Sequence, residues 1–498
     1  MLKGFTRKFK PLEILTAEEI ETIHRGALNI LDTTGVRMEH AGALKLLAAS
    51  ECRVDFEENR VRIPPWLAEE CLRKTPSSYV IKARDGESDL MVGGDTFYYM
   101  QGMGMRYLDL ETWETRSASI QEHKEAMIIA DALDNVHLAD AVFFYMERKG
   151  IPPVMVMLEN LASGLRHSAK AEHFGYQKDC EIFAIGMAKE LNINLDVELD
   201  TASPLSFYSG SIEAAFRYIK AGHPIMPCIS QTMGAEGPAT ASGSLVLGIA
   251  TLIAYVVLAQ IIQPGAAISV EHGLKPMDMQ RGTPRFGGPL GALTTVGMNQ
   301  LLRRYKIPSC TSAGFTSLSK EIDYQCGYEK SLGTLISALS GGHLHIFQGG
   351  SGAELLYHPV LSILDDDVAG WVGRFLQGVA VSDETLAIDL INQIGPIPGH
   401  FLGTEHTRQW WQKEQFIPKV GDREAYPVWI KSGKKDALVL AQERMEEILA
   451  RHQPKPLTPD QEQAIEDILT EAREYYRKKD LITDEEWATY MRTLKSAN

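Results

Sequence analysis

The sequence predicts an α/β protein, a (β/α)8 barrel with an N-terminal helical extension and further helices at its C-terminal end. Three observations lead there. Strand-like and helix-like segments alternate over about 250 residues, and repeated βα units require a parallel sheet because parallel strands need crossovers. No Gly-x-Gly-x-x-Gly with an acidic residue about twenty positions on marks the first turn of an open doubly wound sheet; Gly102-Met-Gly104 lacks the third glycine. Finally, residues 341–354 read as a strand, His343 to Gln348, emptying into Gly349, Gly350, Ser351 and Gly352, where the backbone can turn sharply or approach a ligand closely.

In chain order, Thr16-Ala-Glu-Glu19 is a capping-box pattern, and Ile20, Ile23, Ala27, Ile30 and Leu31 follow at helical spacing until Gly35. Residues 41–49 predict a second helix, 61–63 a short strand, and Pro64-Pro65-Trp66 starts a third helix where proline is tolerated. Residues 1–90 therefore form an N-terminal helical accessory region. Residues 96–100 and 106–110 predict a hairpin-like unit with an aromatic arm, followed by a helix over 120–133. Barrel strands are expected at 137–144, 165–169, 205–208, 225–230, 266–271, 309–313 and 343–348, with helices including 212–220, 290–305 and 327–339. The barrel spans 91–380. Residues 381–498, with polar-faced helices and a Glu, Lys and Arg-rich end, form a helical region packed on it.

With 498 residues, 44% hydrophobic and 23% charged, the chain has material for a large core and no collagen, disulfide-scaffold or disordered bias. A net charge of -15 argues against nucleic acid, because there is no basic excess to displace counterions from phosphates. The six cysteines form no Cys-x-x-Cys pair, so neither a disulfide framework nor a zinc cluster is spelled out, and a cytoplasmic location is expected. Residues 244–262 carry no charge and are long enough to cross a membrane, but Gly248, Thr251 and Gln260 interrupt them and no Lys or Arg flanks them closely. A helix buried all round, partly under a second subunit, fits better; no membrane association and a homo-oligomer are expected.

A barrel of this kind carries its site at the C-terminal ends of the strands. Those ends supply Gln231, Glu271, His272, Phe315 and Gln348. Glu271 and His272 are candidates for acid/base work, although adjacent strand residues point opposite ways. No metal is expected, since Cys228 and Cys310 lie inside strands and His272 and His345 would have to be forced towards them. Amides, glycines and aromatics predominate over ionisable groups. Such a site suits a substrate held by shape and cation–π contact, with Phe97, Tyr98, Tyr99, Phe315 and Phe347 as candidates; each also suits a core position. Gln348 is placed to hydrogen-bond a carboxylate, with His345 on the same face either assisting or sitting in the core.

Several stretches resemble the trimethylamine methyltransferase family: Asp323-Tyr-Gln-Cys-Gly-Tyr-Glu-Lys330, Ala338-Leu-Ser-Gly-Gly342, Asp383-Glu-Thr-Leu386, Gly395-Pro with Gly399-His-Phe-Leu-Gly403, and Pro264-Gly-Ala with Met277-Asp-Met and Gly282-Thr-Pro. The resemblance covers nearly the whole chain in order. It implies a (β/α)8 barrel that moves a methyl group from an amine to the cobalt of a corrinoid (cobalamin) on a separate corrinoid protein. Founding members carry pyrrolysine on a glycine-rich turn after the seventh strand, which corresponds here to Gly349, Gly350 or Ser351, the catalytic candidates. This chain has no such residue and resembles the non-pyrrolysine branch, which demethylates quaternary amines such as glycine betaine, carnitine or proline betaine. A quaternary nitrogen leaves as a neutral amine, so its methyl needs no covalent activation. Glycine betaine is the first expectation; another quaternary amine, or a barrel that binds one without methyl transfer, are the alternatives.

Overall fold

A computed structural model describes residues 4–140, 145–312 and 316–497. Eight parallel strands close into a barrel: β1 (Thr96–Gln101), β2 (Leu138–Asp140), β3 (Ala171–Phe174), β4 (Asp196–Asp200), β5 (Ile225–Ile229), β6 (Val270–His272), β7 (Ser309–Thr311) and β8 (Leu344–Gln348), with β8 paired back onto β1. The closing seam carries an irregularity between Ile346 and Gln348, where β8 advances two residues against one on β1.

Side chains alternate across each strand, so the barrel has an inner and an outer set. Near the N-terminal ends the inner set is apolar: Tyr98, Met100, Leu138, Ala171, Met226, Cys310, Leu344 and Ile346 pack in one cluster. A hairpin of Ser78–Ile81 and Leu90–Gly93 closes this end, its Tyr79 hydroxyl donating to Asp196 at the start of β4 over 3.1 Å. The outer set packs against the surrounding helices.

The apolar segment forms the helix Ala241–Ile262 between β5 and β6, with a mean hydropathy of 2.5 over its most apolar window, long enough to cross a bilayer. Within this chain 78% of that window is already buried, which makes it a core helix of the fold. Much of its cover comes from the chain's own helices Ala17–Thr33, Ala41–Ala49 and Pro65–Lys74. The first of these has the expected capping box, with Thr16 and Glu19 satisfying each other's backbone N–H groups.

Two strand expectations require correction, and one barrel strand was missed. Residues 165–169 straddle the end of the helix Pro153–His167, and β3 begins after them. Residues 205–208 contribute only the short strand Ser206–Phe207, which joins the N-terminal sheet beside Val36–Met38 instead of the barrel. β4 was not foreseen: its Asp-Val-Glu-Leu-Asp pattern alternates charge and apolarity as a solvent-facing edge would, yet Val197 and Leu199 face the helices and the carboxylates face inward. The expected second strand, 137–144, ends at Asp140 among the described residues, and 141–144 lie outside them.

Candidate active site

The inner set turns polar at the C-terminal end of the barrel. From β3 and β4, His173 stands between Asp196 (Nδ1 to Oδ2, 3.4 Å) and Glu198 (Nε2 to Oε2, 3.3 Å). Glu198, Cys228 of β5 and Glu271 of β6 bring one ligand atom each within 4.8 Å of one another, a constellation placed to hold a cation. Asp140 of β2 is buried on the same inner face, and Asp200 reaches the solvent-exposed rim. Gln348 closes the ring from β8; it is fully buried, with neither amide atom hydrogen-bonded among the described residues.

Burial dominates the ionisation of this group. It raises Glu271 well above the ordinary carboxylate range, and the neighbouring Glu198 raises it further. Glu198 is also pushed well up by burial, although its hydrogen bond with Glu271 holds it down in part. Both carboxyls are raised and they share one hydrogen bond, so the pair together holds a proton where ordinary carboxylates have none. For His173 burial works against charge, but the bond to Asp196 and the nearby Asp140 outweigh it, and its pKa rises. Cys228 is raised by burial and by both glutamates, which keeps it a thiol.

A cavity of about 180 Å³ opens beside Glu198 and Asp200, walled by Tyr176, Met146 and Met157. Cavities for drug-sized ligands run from about 300 to 1,000 Å³, so this one suits a molecule of few heavy atoms. A larger cavity of about 770 Å³ lies elsewhere, between helices Pro153–His167 and Pro459–Lys478. Several of its charges are paired, Arg166 with Glu462 and Glu466 and Arg473 with Glu159. Lys275, just past β6, donates to Ser230 Oγ over 2.6 Å and lies 5.3 Å from the Phe286 ring centre. It acts electrostatically on Cys228 and Glu354, so it is a cation at the edge of an acidic mouth.

The structure redistributes the sequence candidates. Glu271 and Gln348 belong to the mouth. Phe97, Tyr99 and Phe347 do not form a cage: they point out of the barrel into an apolar cluster with Ala338, Ala369, Val372 and Leu376. Tyr98 points inward, but into the apolar layer at the opposite end. Phe315 lies outside the described residues. His345 also faces outward, its ring 5.5 Å from Phe347 and 6.2 Å from Phe97, and burial lowers its pKa to about 3. His272 accompanies it outward, bonded to Asn299 over 2.9 Å and lowered to about 4 by burial. Both are neutral core histidines.

The glycine turn corrects two expectations. It follows the eighth strand, not the seventh; the seventh is β7, whose exit runs through Ser312 into residues outside the description. Nor is the close approach at these glycines made to a ligand. A Cβ on Gly349 (φ +87°) would stand 2.2 Å from Ser362 Oγ, and one on Gly350 2.2 Å from the Met103 carbonyl oxygen. Ser351 is buried where its strand pairs with Leu356–Tyr357. Lys330 Nζ donates to the carbonyls of Phe347 and Gly350, each over 2.7 Å, and Asp365 accepts the Gly349 N–H over 2.8 Å. These glycines serve close packing of a buried turn.

Asp140, His173, Glu198 and Asp200, and the wall residue Tyr176, escaped the sequence reading. The signal for the strand carboxylates was present in the 196–200 alternation, which fits an outward-facing strand equally well.

Residues 1–475 match the family described as "Trimethylamine methyltransferase (MTTB)". The chain is 29% identical over 462 residues to the glycine betaine methyltransferase of Desulfitobacterium hafniense (strain Y51), covering 90% of this chain and 94% of that one. It is 26% identical over 470 residues to the trimethylamine methyltransferase MttB of D. hafniense (strain DSM 10664 / DCB-2), covering 92% and 94%. A solved structure, the Methanosarcina barkeri monomethylamine methyltransferase MtmB, aligns with a TM-score of 0.47 at 11% identity over 86% of this chain and 94% of that one.

Proposed function

We propose, starting from the fact that the chain belongs to the trimethylamine methyltransferase family, that it moves a methyl group from a quaternary amine, glycine betaine foremost, to the cobalt(I) of a corrinoid held by a partner protein. Family and relatives support methyl transfer from a methylamine. The observation that carries the finer reading is the buried acidic mouth, where Glu198 and Glu271 face each other beside the Asp196–His173 pair. Such a mouth favours a permanent cation and disfavours an anion or a neutral amine.

The chain's own part follows from this geometry. The trimethylammonium head enters the cavity beside Asp200 and lies against Glu198, behind which stands Glu271, while Tyr176 offers an aromatic face. A cation stabilises the ionised form of the pair, so binding expels its proton. Lys275 Nζ, which donates to Ser230 Oγ, is the donor for the carboxylate of a betaine in this reading, and it favours betaines over simple tetraalkylammonium ions. The corrinoid supplies the nucleophile, cobalt(I). Held in line, a methyl on a positively charged nitrogen needs no acid to make the amine leave. The leaving amine is neutral, and the pair then regains its preference for a proton, which loosens the product.

The test is methylation of cob(I)alamin with a panel of glycine betaine, proline betaine, carnitine and trimethylamine. Transfer from glycine betaine and none from trimethylamine is expected. Transfer from trimethylamine alone, or from none of the four, overturns the reading.

A further inference from the structure

The structure leaves one long segment without a core. From Gln377 to Leu440 only Val420 is buried. The segment contains the helices Asp383–Leu386, Ile388–Ile394, Glu405–Glu414 and Tyr426–Lys431, none of which buries a residue. Helices this short are not stable by themselves in water and draw their stability from packing an apolar face. Yet the apolar side chains here are open: Ile397 is 94% exposed, Val379 86%, Leu402 85% and Tyr426 72%. With Trp411 and Ile388 also exposed, the segment offers apolar surface that single chains do not normally leave in water.

The same chain carries a surface of matching chemistry. At the root of the segment, a groove of about 480 Å³ runs between the helices Tyr324–Leu339 and Pro359–Leu376 and the segment's own Val420, Gly421, Ala437 and Leu438, lined largely by apolar atoms including Leu361, Leu364 and Val368. On its lip Tyr324 is 86% exposed, and Leu332 on the same helix is 60% exposed.

We propose that the 377–440 segment is an assembly arm that packs on the Tyr324–Leu332 lip and groove of a second copy of this chain, each copy giving an arm and receiving one. Self-complementary exchange is the arrangement a two-fold dimer requires, because both patches lie on every copy. The arm's large exposed side chains, at roughly 100 Å² each, amount to about 1,000 Å² per copy, more than the ~800 Å² per partner of a stable interface. A permanent partner also fits the chemistry better than the corrinoid protein, which has to depart after each transfer and would leave this surface wet every cycle. The groove backs directly onto the Lys330–Asp365 pair, 3.2 Å apart, that holds the buried glycine turn of β8. Cover from a second copy therefore shields the support of one strand of the site.

Sedimentation of the full-length protein at micromolar concentration tests this without reference to activity. The wild type is expected to sediment at a multiple of 55.3 kDa. Two separate variants, Ile397→Ser/Leu402→Ser/Tyr426→Ser on the arm and Tyr324→Glu/Leu332→Glu on the lip, are each expected to fall to the mass of one chain with unchanged circular dichroism. All five positions are exposed in the single chain, so neither variant should unfold it. A monomeric wild type overturns the proposal, as does an assembly that survives both variants. So does a wild type that is monomeric until the corrinoid protein is added, which would assign the arm to that partner.

Discussion

The inner face of β3, β4 and β6 and the outer face of β1 and β8 are built from the same alternation and put to opposite uses. On β4 the charged residues point inward and Val197 and Leu199 outward; on β8 the ring-bearing His345 and Phe347 point outward and Leu344 and Ile346 inward. Aromatic residues at a strand end suggest a cation cage, and carboxylates on a strand suggest solvent. Here the aromatics are core and the carboxylates are the mouth. A strand's pattern gives its period, and only the neighbouring strands decide which phase faces in.

The contrast is sharpest when a single carboxylate is neutralised. Glu198→Gln or Glu271→Gln is expected to lower methyl transfer to cob(I)alamin by about 30-fold or more, the loss of one partner of a buried charged contact being worth ~2–5 kcal/mol. The same variants should be more stable without ligand, by about 1 kcal/mol, since a function-serving buried acid is removed. Thermal melts beside the transfer rate check this; a variant that loses stability and keeps transfer would return the pair to a structural role.

Next in size is the pH dependence. The unfolded chain ionises these carboxyls in the ordinary range, whereas the folded protein holds the proton on the Glu198–Glu271 pair to higher pH. Between those values the folded state binds more protons, so ligand-free stability falls as pH rises. Binding expels the proton, so affinity for a quaternary amine should rise with pH, by up to about tenfold per unit, until the free pair is ionised. Calorimetric titration across pH measures it, and an affinity that falls over this window would contradict the assignment.

Gln348→Ala should weaken substrate binding severalfold, in line with a hydrogen bond of about 1 kcal/mol, because its amide has no partner among the described residues. The smallest effect on function is expected on the other side of the comparison. Phe347→Leu and Tyr99→Phe should leave KM within about twofold while lowering stability by about 1–3 kcal/mol, as core substitutions do. A large KM change with an unmoved melting temperature would revive the aromatic cage.

Much of the fold was legible because its cues are local. The first helix could be read from Thr16 and Glu19, the buried helix from its uncharged run, and β8 from its position before the glycines. The site was less legible because it is assembled from strands that look unremarkable singly. Glu271 stood out beside His272, but Glu198 and His173 acquire meaning only when β3, β4 and β6 are brought round one axis. The glycines misled for a related reason: Gly350 marks a close approach, and what approaches is the Met103 carbonyl of the same chain.

The central claim is that the acidic mouth receives a permanent cation at the Glu198–Glu271 pair. Its most direct test is calorimetric titration of glycine betaine into the protein near neutral pH, in two buffers of different ionisation enthalpy. Release of a proton on binding is predicted for the wild type, with the release abolished in Glu271→Gln. Binding with no buffer-dependent heat in the wild type, or with the same release in Glu271→Gln, would contradict it.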